Sequence, residues 1–511
     1  MMQPALIIPL AVYLVLVYLL AAYANRILSK SGNFLEEYFI GSRQMGGFVL
    51  AMTLVATYTS ASSFVGGPGI AYKMGLGWVL LAMIQLPAAW LSLSVLGKKY
   101  AIIARRINAV TINDILRARY DNQWVVIFGS LALVTFFIAA MVAQFVGGAR
   151  LFEGMTGLSY NTGLIIFAST VVLYTTIGGF RAVALTDAVQ GVVMLVGTTA
   201  LLAGVIKAGG GIPNLVASLH AVDPALITPA GPNGFLSKPF ILSFWVLVCF
   251  GVIGIPHTAV RCFGYKDSRA MHRAIIVGTF VLGFLMLGMH LCGAFGRVIV
   301  PGLTAGDKIM PALTLKVLPP VFAGIFLAGP LAAIMSTIDS QLILASATIV
   351  KDLYINYIKK ETPETDDIKE GRRPLMKRLS FYTTAILGLI VFGASFNPPD
   401  LIVWLNLFAF GGLQAAFLWP LVLGLYWKRA NAFGALASMV VGVGSYFFFA
   451  VYVKRVAGMH VIVPVLAITL GVFVLVSLLT PKPHKTTLDL FWGTGNCRAG
   501  KKPKAMPPAA R

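Results

Sequence analysis

Thirteen blocks of about twenty or more mostly apolar residues run through this chain, near 4–24, 45–72, 75–97, 124–149, 158–180, 182–206, 239–260, 274–296, 317–350, 379–396, 399–427, 430–453 and 460–480. Each is long enough to cross the hydrocarbon layer of a bilayer as a helix. In lipid no water is available to the backbone, so a spanning segment must satisfy its own N–H and C=O groups. Helices do this within one segment. Composition agrees: 58% of the residues are hydrophobic and only 11% charged, against roughly 25% charged in a soluble domain. Too little polar surface remains to coat a globule of 511 residues. No Lys or Arg precedes the first block, whereas a cleavable signal peptide has a positive n-region. The block is read as a retained helix. The fold class expected is an all-α integral membrane protein.

The net charge is +22, from 40 Lys and Arg against 18 Asp and Glu. Such a balance could suit nucleic acid, but here the charges sit in short loops between apolar blocks. Counting along thirteen spans, 31 of the 40 basic residues fall in alternate connections and the C-terminal segment: 25–44, 98–123, Arg181, 261–273, 351–378, 428–429 and 481–511. Cytoplasmic loops are the ones enriched in Lys and Arg. The asymmetry therefore places the N-terminus outside and the C-terminus in the cytoplasm, with lipid and not nucleic acid as surroundings. The polar stretch 351–378 is expected to be a solvated linker. Residues 481–511, rich in Pro, Lys and Gly, are expected to be a disordered tail, too short for a catalytic or signalling domain. Residues 1–480 form one transmembrane unit.

Enzymatic chemistry has little to stand on. The four cysteines, 249, 262, 292 and 497, have no close partner, and the six histidines form no metal pattern. No cofactor is expected.

Two spans are interrupted. The second carries Thr57, Thr59, Ser60, Ser62 and Ser63 followed by Gly66-Gly67-Pro68-Gly69, and the seventh carries Gly251, Gly254 and Pro256 before His257. If spans 2–6 (about 45–206) and 7–11 (about 239–427) are two five-helix units, each opens with a broken helix. An odd number of spans per unit puts them in opposite orientations. Broken helices at matching places in inverted repeats mark the central site of a transporter. Two ordinary proline kinks would look the same in sequence. One helix precedes the repeats and two follow them.

In span 9, Ala333, Ser336 and Thr337 share one helix face, at i, i+3 and i+4. Two hydroxyls and a carbonyl whose helical donor is partly diverted offer the oxygens that hard cations take. A Ser/Thr pair bonding its own helix or a neighbour is the alternative. Asp339 in span 9 and Asp187 in span 6 are the acidic residues at membrane depth, and such groups point to function. For Asp187 an interfacial ion pair with a nearby Arg or Lys is the other reading.

Three strings resemble the sodium:solute symporter family: Ala56-Thr57-Tyr58-Thr59-Ser60-Ala61-Ser62-Ser63-Phe64-Val65-Gly66, then Gly178-Gly179-Phe180-Arg181-Ala182-Val183 with Thr186-Asp187, then Met335-Ser336-Thr337 with Asp339-Ser340-Gln341. They lie in the right order, and the resemblance covers roughly residues 4–480. Tyr38 to Arg43, Gly75 to Pro87, Phe244 to Gly251 and Phe408 to Pro420 are similar to the branch of the family that takes up pantothenate. The resemblance implies two inverted five-helix repeats and sodium-coupled uptake through the cytoplasmic membrane of a bacterium. It implies a sodium site formed by the carbonyls of Ala56, Thr59 and Ala333 and the hydroxyls of Ser336 and Thr337. Thr59 stands where relatives often have a larger apolar residue. Asp187 and Asp339 would lie on the sodium path. Tyr58, Ser60, Ser63, Gln85 and Gln414 are the substrate candidates, with helix–helix bonding open for both glutamines. Val248–Val252 lacks the aromatic and polar groups that some relatives use for solute. Another small solute, such as proline or a short carboxylate, is the alternative, and a membrane sensor on the same helices a more distant one.

Overall fold

The structure, a computed structural model, describes residues 4–30, 43–358, 366–397 and 402–493. It is helical apart from loops and one two-stranded hairpin, Arg455–Val456 against Met459–His460. The elements that matter here are α1 (Pro4–Lys30), α2 (Gly47–Tyr58), α3 (Gly67–Met74), α4 (Leu76–Arg106, interrupted near Pro87), α5 (Ile112–Tyr120), α6 (Gln123–Thr156), α7 (Tyr160–Ala208), α8 (Lys238–Phe244), α9 (Pro256–Arg261), α10 (Ser268–Ile299), α11 (Ile309–Val317), α12 (Pro320–Ala347), α13 (Asp366–Ala394), α14 (Ile402–Tyr426), α15 (Ala432–Phe448), α16 (Ile462–Leu479) and α17 (Lys485–Trp492).

Among the described residues eight helices are long and apolar enough to cross a membrane alone, or nine if α2 and α3 count as one bent span. Shorter apolar helices, such as Lys238–Gly254 and Arg378–Ala394, stand where further spans were expected. The count of thirteen separate helices is approached, not reproduced. The clearest difference concerns the spans expected at 158–180 and 182–206, with a loop at Arg181. They share one helical assignment, α7, 49 residues long. A straight rod from Gly163 to Gly204 would measure about 60 Å at 1.5 Å per residue. Yet Gly163 abuts Phe152 and Glu153, the adjoining Gly154 abuts Pro311, and Gly204 abuts Val317 at the other end of the nine-residue α11. α7 therefore turns back on itself near its middle and crosses twice.

Within each of the two sets of loops separated by charge counting, loops meet one another. In the Lys/Arg-rich set, the Met45 amide donates to the Gly264 carbonyl at 3.0 Å, Arg43 donates to the Ala109 carbonyl, and Arg119 donates to the carbonyls of Gly424 and Trp427. In the other set, Gly75 abuts Leu226, Gly69 abuts Gly306, and Tyr160 donates to the Ser395 carbonyl. Outward faces are apolar, as lipid requires: Phe280 is 77% and Leu479 85% exposed.

Two polar segments are more ordered than their composition suggests. Residues 351–358 continue α12 as a π turn, Thr348–Ile358, and residues 366–378 open α13, so much of the expected linker is helix. Asp352 explains the first. It is buried and accepts from Thr111 Oγ1 (2.8 Å) and Asn113 Nδ2 (3.0 Å) of the α5 end. The expected disordered tail begins instead with α17. Phe491 and Trp492 lie against the Arg119 guanidinium, and Arg106 donates to the Leu490 carbonyl. Residues 494–511 lie outside the described residues, as does Cys497; Cys249, Cys262 and Cys292 are buried free thiols.

Small residues set the close approaches. A Cβ on Gly293 of α10 would sit 2.3 Å from the Pro68 carbonyl oxygen, while one on the lipid-facing Gly393 meets nothing within 4 Å. Overpacking costs about 1–3 kcal/mol or more. Gly293→Leu is therefore expected to lower the unfolding temperature in detergent by several degrees, and Gly393→Leu to leave it unchanged.

Candidate functional site

α2 stops at Tyr58 because Thr59 adopts extended backbone (φ −72°, ψ 142°). Thr59 competes with the helix by bonding back to its own turn, with Oγ1 2.9 Å from the Val55 carbonyl. The chain resumes as a π turn, Ser62–Gly66, and then α3, bent by 69° from α2. The break strips carbonyls and amides of helical partners in a region where a bare polar group costs several kcal/mol.

α12 supplies partners on one side. Ser336 Oγ lies 2.7 Å from the Ala56 carbonyl and 3.0 Å from the Ala333 carbonyl. Thr337 Oγ1 lies 2.7 Å from the Thr59 carbonyl and 3.0 Å from Ala333. All five expected oxygens thus fall in one fully buried cluster. The Thr59 hydroxyl borders it, 3.3 Å from the Ala56 carbonyl. The cluster thus gathers two hydroxyls and three carbonyls, all neutral oxygens of the type that small hard cations take. On the other side of the break Gln144, which sequence reasoning missed, accepts from the Ala61 amide at 2.7 Å and donates to Asn406 Oδ1. An amide inside the apolar block of α6 was its only visible signal.

Asp187 and Asp339 are brought close to the cluster but are already engaged. Asp187 accepts from Thr53 Oγ1 and pairs with Arg261 Nη2 at 3.4 Å. Its ionic partner is thus an arginine of α9, across the molecule and buried to 1% exposure. Arg261 also donates to Thr57 Oγ1 (2.8 Å) and to Ser340 Oγ. It ties α2, α7 and α12 together just beyond Ser336. Asp339 accepts from Tyr174 and Thr175 of α7. His257 packs between Phe137 and Phe410.

Beside the break opens a small cavity of about 40 Å³. Four of the five expected substrate residues line it: Tyr58, Ser60, Ser63 and Gln85. Trp78, Phe244, His290 and Asn406 line it as well, and sequence reasoning did not place them there. Among the described residues no Lys, Arg, Asp or Glu does. Gln414 is not part of the lining. Its Nε2 donates to the Leu247 carbonyl at 2.6 Å, and it packs against Gly251. There the seventh span changes from a π turn (Trp245–Phe250) to a 3₁₀ turn (Gly251–Gly254) before α9. Tyr58 joins the two interrupted helices by donating to the Val248 carbonyl at 2.7 Å.

The sequence model of the sodium:solute symporter family matches residues 38–442. The chain belongs to the sodium:solute symporter family. Membership makes this protein a sodium-coupled symporter, a multi-pass membrane transporter and not an enzyme. Among its relatives, the sodium/pantothenate symporter of Escherichia coli (strain K12) is 57% identical over 472 residues, covering 92% of this chain and 96% of the relative. That of Haemophilus influenzae is 54% identical with the same coverage. The osmoregulated proline transporter of Bacillus subtilis is 30% identical, covering 96% and 98%. Among solved structures, a Na+-coupled sialic acid symporter in a substrate-bound outward-open state shares the fold, with a TM-score of 0.76 at 17% identity over 94% of this chain and 98% of that one. Mhp1, a nucleobase-cation-symport-1 family transporter, matches at a TM-score of 0.51 and 15% identity over 89% and 97%.

Removing one partner of a buried ion pair costs about 3–5 kcal/mol. Asp187→Ala is expected to lower the unfolding temperature of the purified protein markedly. Asp187→Ala combined with Arg261→Met is expected to recover part of that loss, as read by thermal unfolding of both variants.

Proposed function

We propose that this protein imports pantothenate together with sodium across the cytoplasmic membrane of a bacterium, by alternating access. The observation that carries the solute is 57% identity to a sodium/pantothenate symporter along 96% of that protein's length; relatives that carry proline stand at 30%. The excess of Lys and Arg in one set of loops supports an external N-terminus and a cytoplasmic C-terminus.

In this reading sodium enters the cage of Ala56, Thr59, Ala333, Ser336 and Thr337 and replaces four hydroxyl–carbonyl hydrogen bonds by ion–oxygen contacts. It thereby holds α2 against α12 and fixes the break beside the cavity. A cage of neutral oxygens binds weakly enough for release, and Asp187 and Asp339 lie on the way out. Solute sits against Tyr58, Ser60, Ser63 and Gln85. Two units, 45–206 and 239–427, rock about the pair of broken helices. Sodium biases the cycle only through different affinity for the two conformations.

Pantothenate is a monoanion, and among the described residues the cavity lining holds no cation for its carboxylate. Neutral donors of the lining residues, such as the Trp78 indole N–H and the Ser62 hydroxyl, take that part. Arg261 already supplies a cation between Thr57, Asp187 and Ser340, which favours one sodium per solute. One sodium with one monoanion moves no net charge, whereas each further sodium would add about 2.3 kcal/mol per 100 mV.

Two measurements test this. In proteoliposomes an inward sodium gradient is expected to drive uptake of labelled pantothenate, with proline competing poorly and an imposed membrane potential leaving accumulation unchanged. Absent pantothenate uptake overturns the solute; potential-driven accumulation overturns the single sodium. Ser336→Ala with Thr337→Ala is expected to raise the sodium concentration for half-maximal uptake at least tenfold, about 1.4 kcal/mol. Unchanged sodium dependence at equal reconstitution would remove the cage.

A further inference from the structure

Within the cavity one lining side chain has a fixed hydrogen-bonding sense. His290 of α10 is buried, and its Nδ1 lies 2.7 Å from the Met286 carbonyl, one turn back on the same helix. A carbonyl only accepts, so Nδ1 carries the proton. In the neutral ring Nε2 is then an acceptor. Among the described residues no carboxylate lines the cavity to hold a second proton on the ring.

Nε2 makes no hydrogen bond to protein among the described residues. It points at Gly67, where an added Cβ would lie 2.3 Å from it. Gly67 also lines the cavity, and its missing side chain is what leaves Nε2 open to a solute. Two lining residues carry buried donors without protein partners among the described residues: the indole N–H of Trp78 and the hydroxyl of Ser62. A buried acceptor that loses water when solute enters must receive an O–H or N–H, or the solute forfeits the desolvation free energy of that acceptor.

We propose that His290 Nε2 is the hydroxyl-recognising group of the solute site, accepting from an alcohol O–H of the bound solute. Gly67 keeps it uncovered, and the Trp78 indole donates to an oxygen elsewhere on the molecule. The proposal rests on the pantothenate reading, since pantothenate carries two hydroxyls, an amide and a carboxylate. It adds the reason a hydroxylated acid is preferred over one without hydroxyls.

The test is competition against sodium-driven uptake of labelled pantothenate by an analogue lacking both hydroxyls. Wild-type protein is expected to bind the analogue roughly 10- to 100-fold more weakly than pantothenate, the range for a buried acceptor left unpaired. In His290→Phe the two solutes should compete within about threefold of each other. His290→Gln keeps an acceptor oxygen near the position of Nε2 and is expected to retain most of the discrimination. Gly67→Ala covers Nε2 and should lose it as His290→Phe does, but its methyl also crowds the Ser62 carbonyl, so retained discrimination in His290→Gln at equal reconstitution keeps the test decisive if either of the others folds poorly. Full discrimination in both Gly67→Ala and His290→Phe, or none in the wild type, overturns the role of His290 alone. A wild type that does not take up pantothenate at all removes the solute reading and this inference together.

Discussion

The break in the second span governs this molecule because it exposes backbone polar groups where no water can reach them. The carbonyls of Ala56 and Thr59 need donors, and the Ala61 amide needs an acceptor. The protein meets these needs from two other spans, with Ser336 and Thr337 of α12 and Gln144 of α6. Once those partners are drawn in, a dense group of oxygens at membrane depth is unavoidable. The proposed sodium site would therefore reuse a structural necessity of the broken helix, since the same lone pairs serve either purpose. The hydrogen bonds now present and the ion contacts proposed are alternatives of similar geometry, which suits a site that must fill and empty in each cycle.

The second break follows the same logic with different parts. Gln414 supplies an amide to the Leu247 carbonyl, and Gly251 and Gly254 allow α14 to approach the irregular backbone closely. Tyr58 spans from one break to the other. The two irregular segments are therefore linked, and both ends of the link, Tyr58 and Val248, line the cavity. Arg261 closes the far side, bound to groups on three helices. Breaking such a buried pair is costly, so it can hold the bundle in one arrangement until its partners move as a unit. The comparisons divide along the same line. Likeness at 17% identity reports the helix arrangement, while the solute rests on relatives above 50% identity and on the chemistry of the lining.

Much of this was legible in the linear sequence. The apolar blocks marked the membrane passes, the Lys and Arg counts separated two sets of loops that each meet among themselves, and the Ser/Thr-rich stretch before Gly66 marked the break. The spacing of Ala333, Ser336 and Thr337 put them on one face. Each of these signals is local, or is imposed uniformly by lipid on every segment, so a short window carries it. The tertiary structure alone decided which way each helix is rotated and what lies across from it. It moved Gln414 from the cavity to the seventh-span break, paired Asp187 with Arg261 from the other half of the chain, folded α7 back on itself, and brought His290 and Trp78 into the cavity lining. Those outcomes depend on contacts between residues up to several hundred positions apart, and no local pattern encodes the angle at which two apolar helices meet.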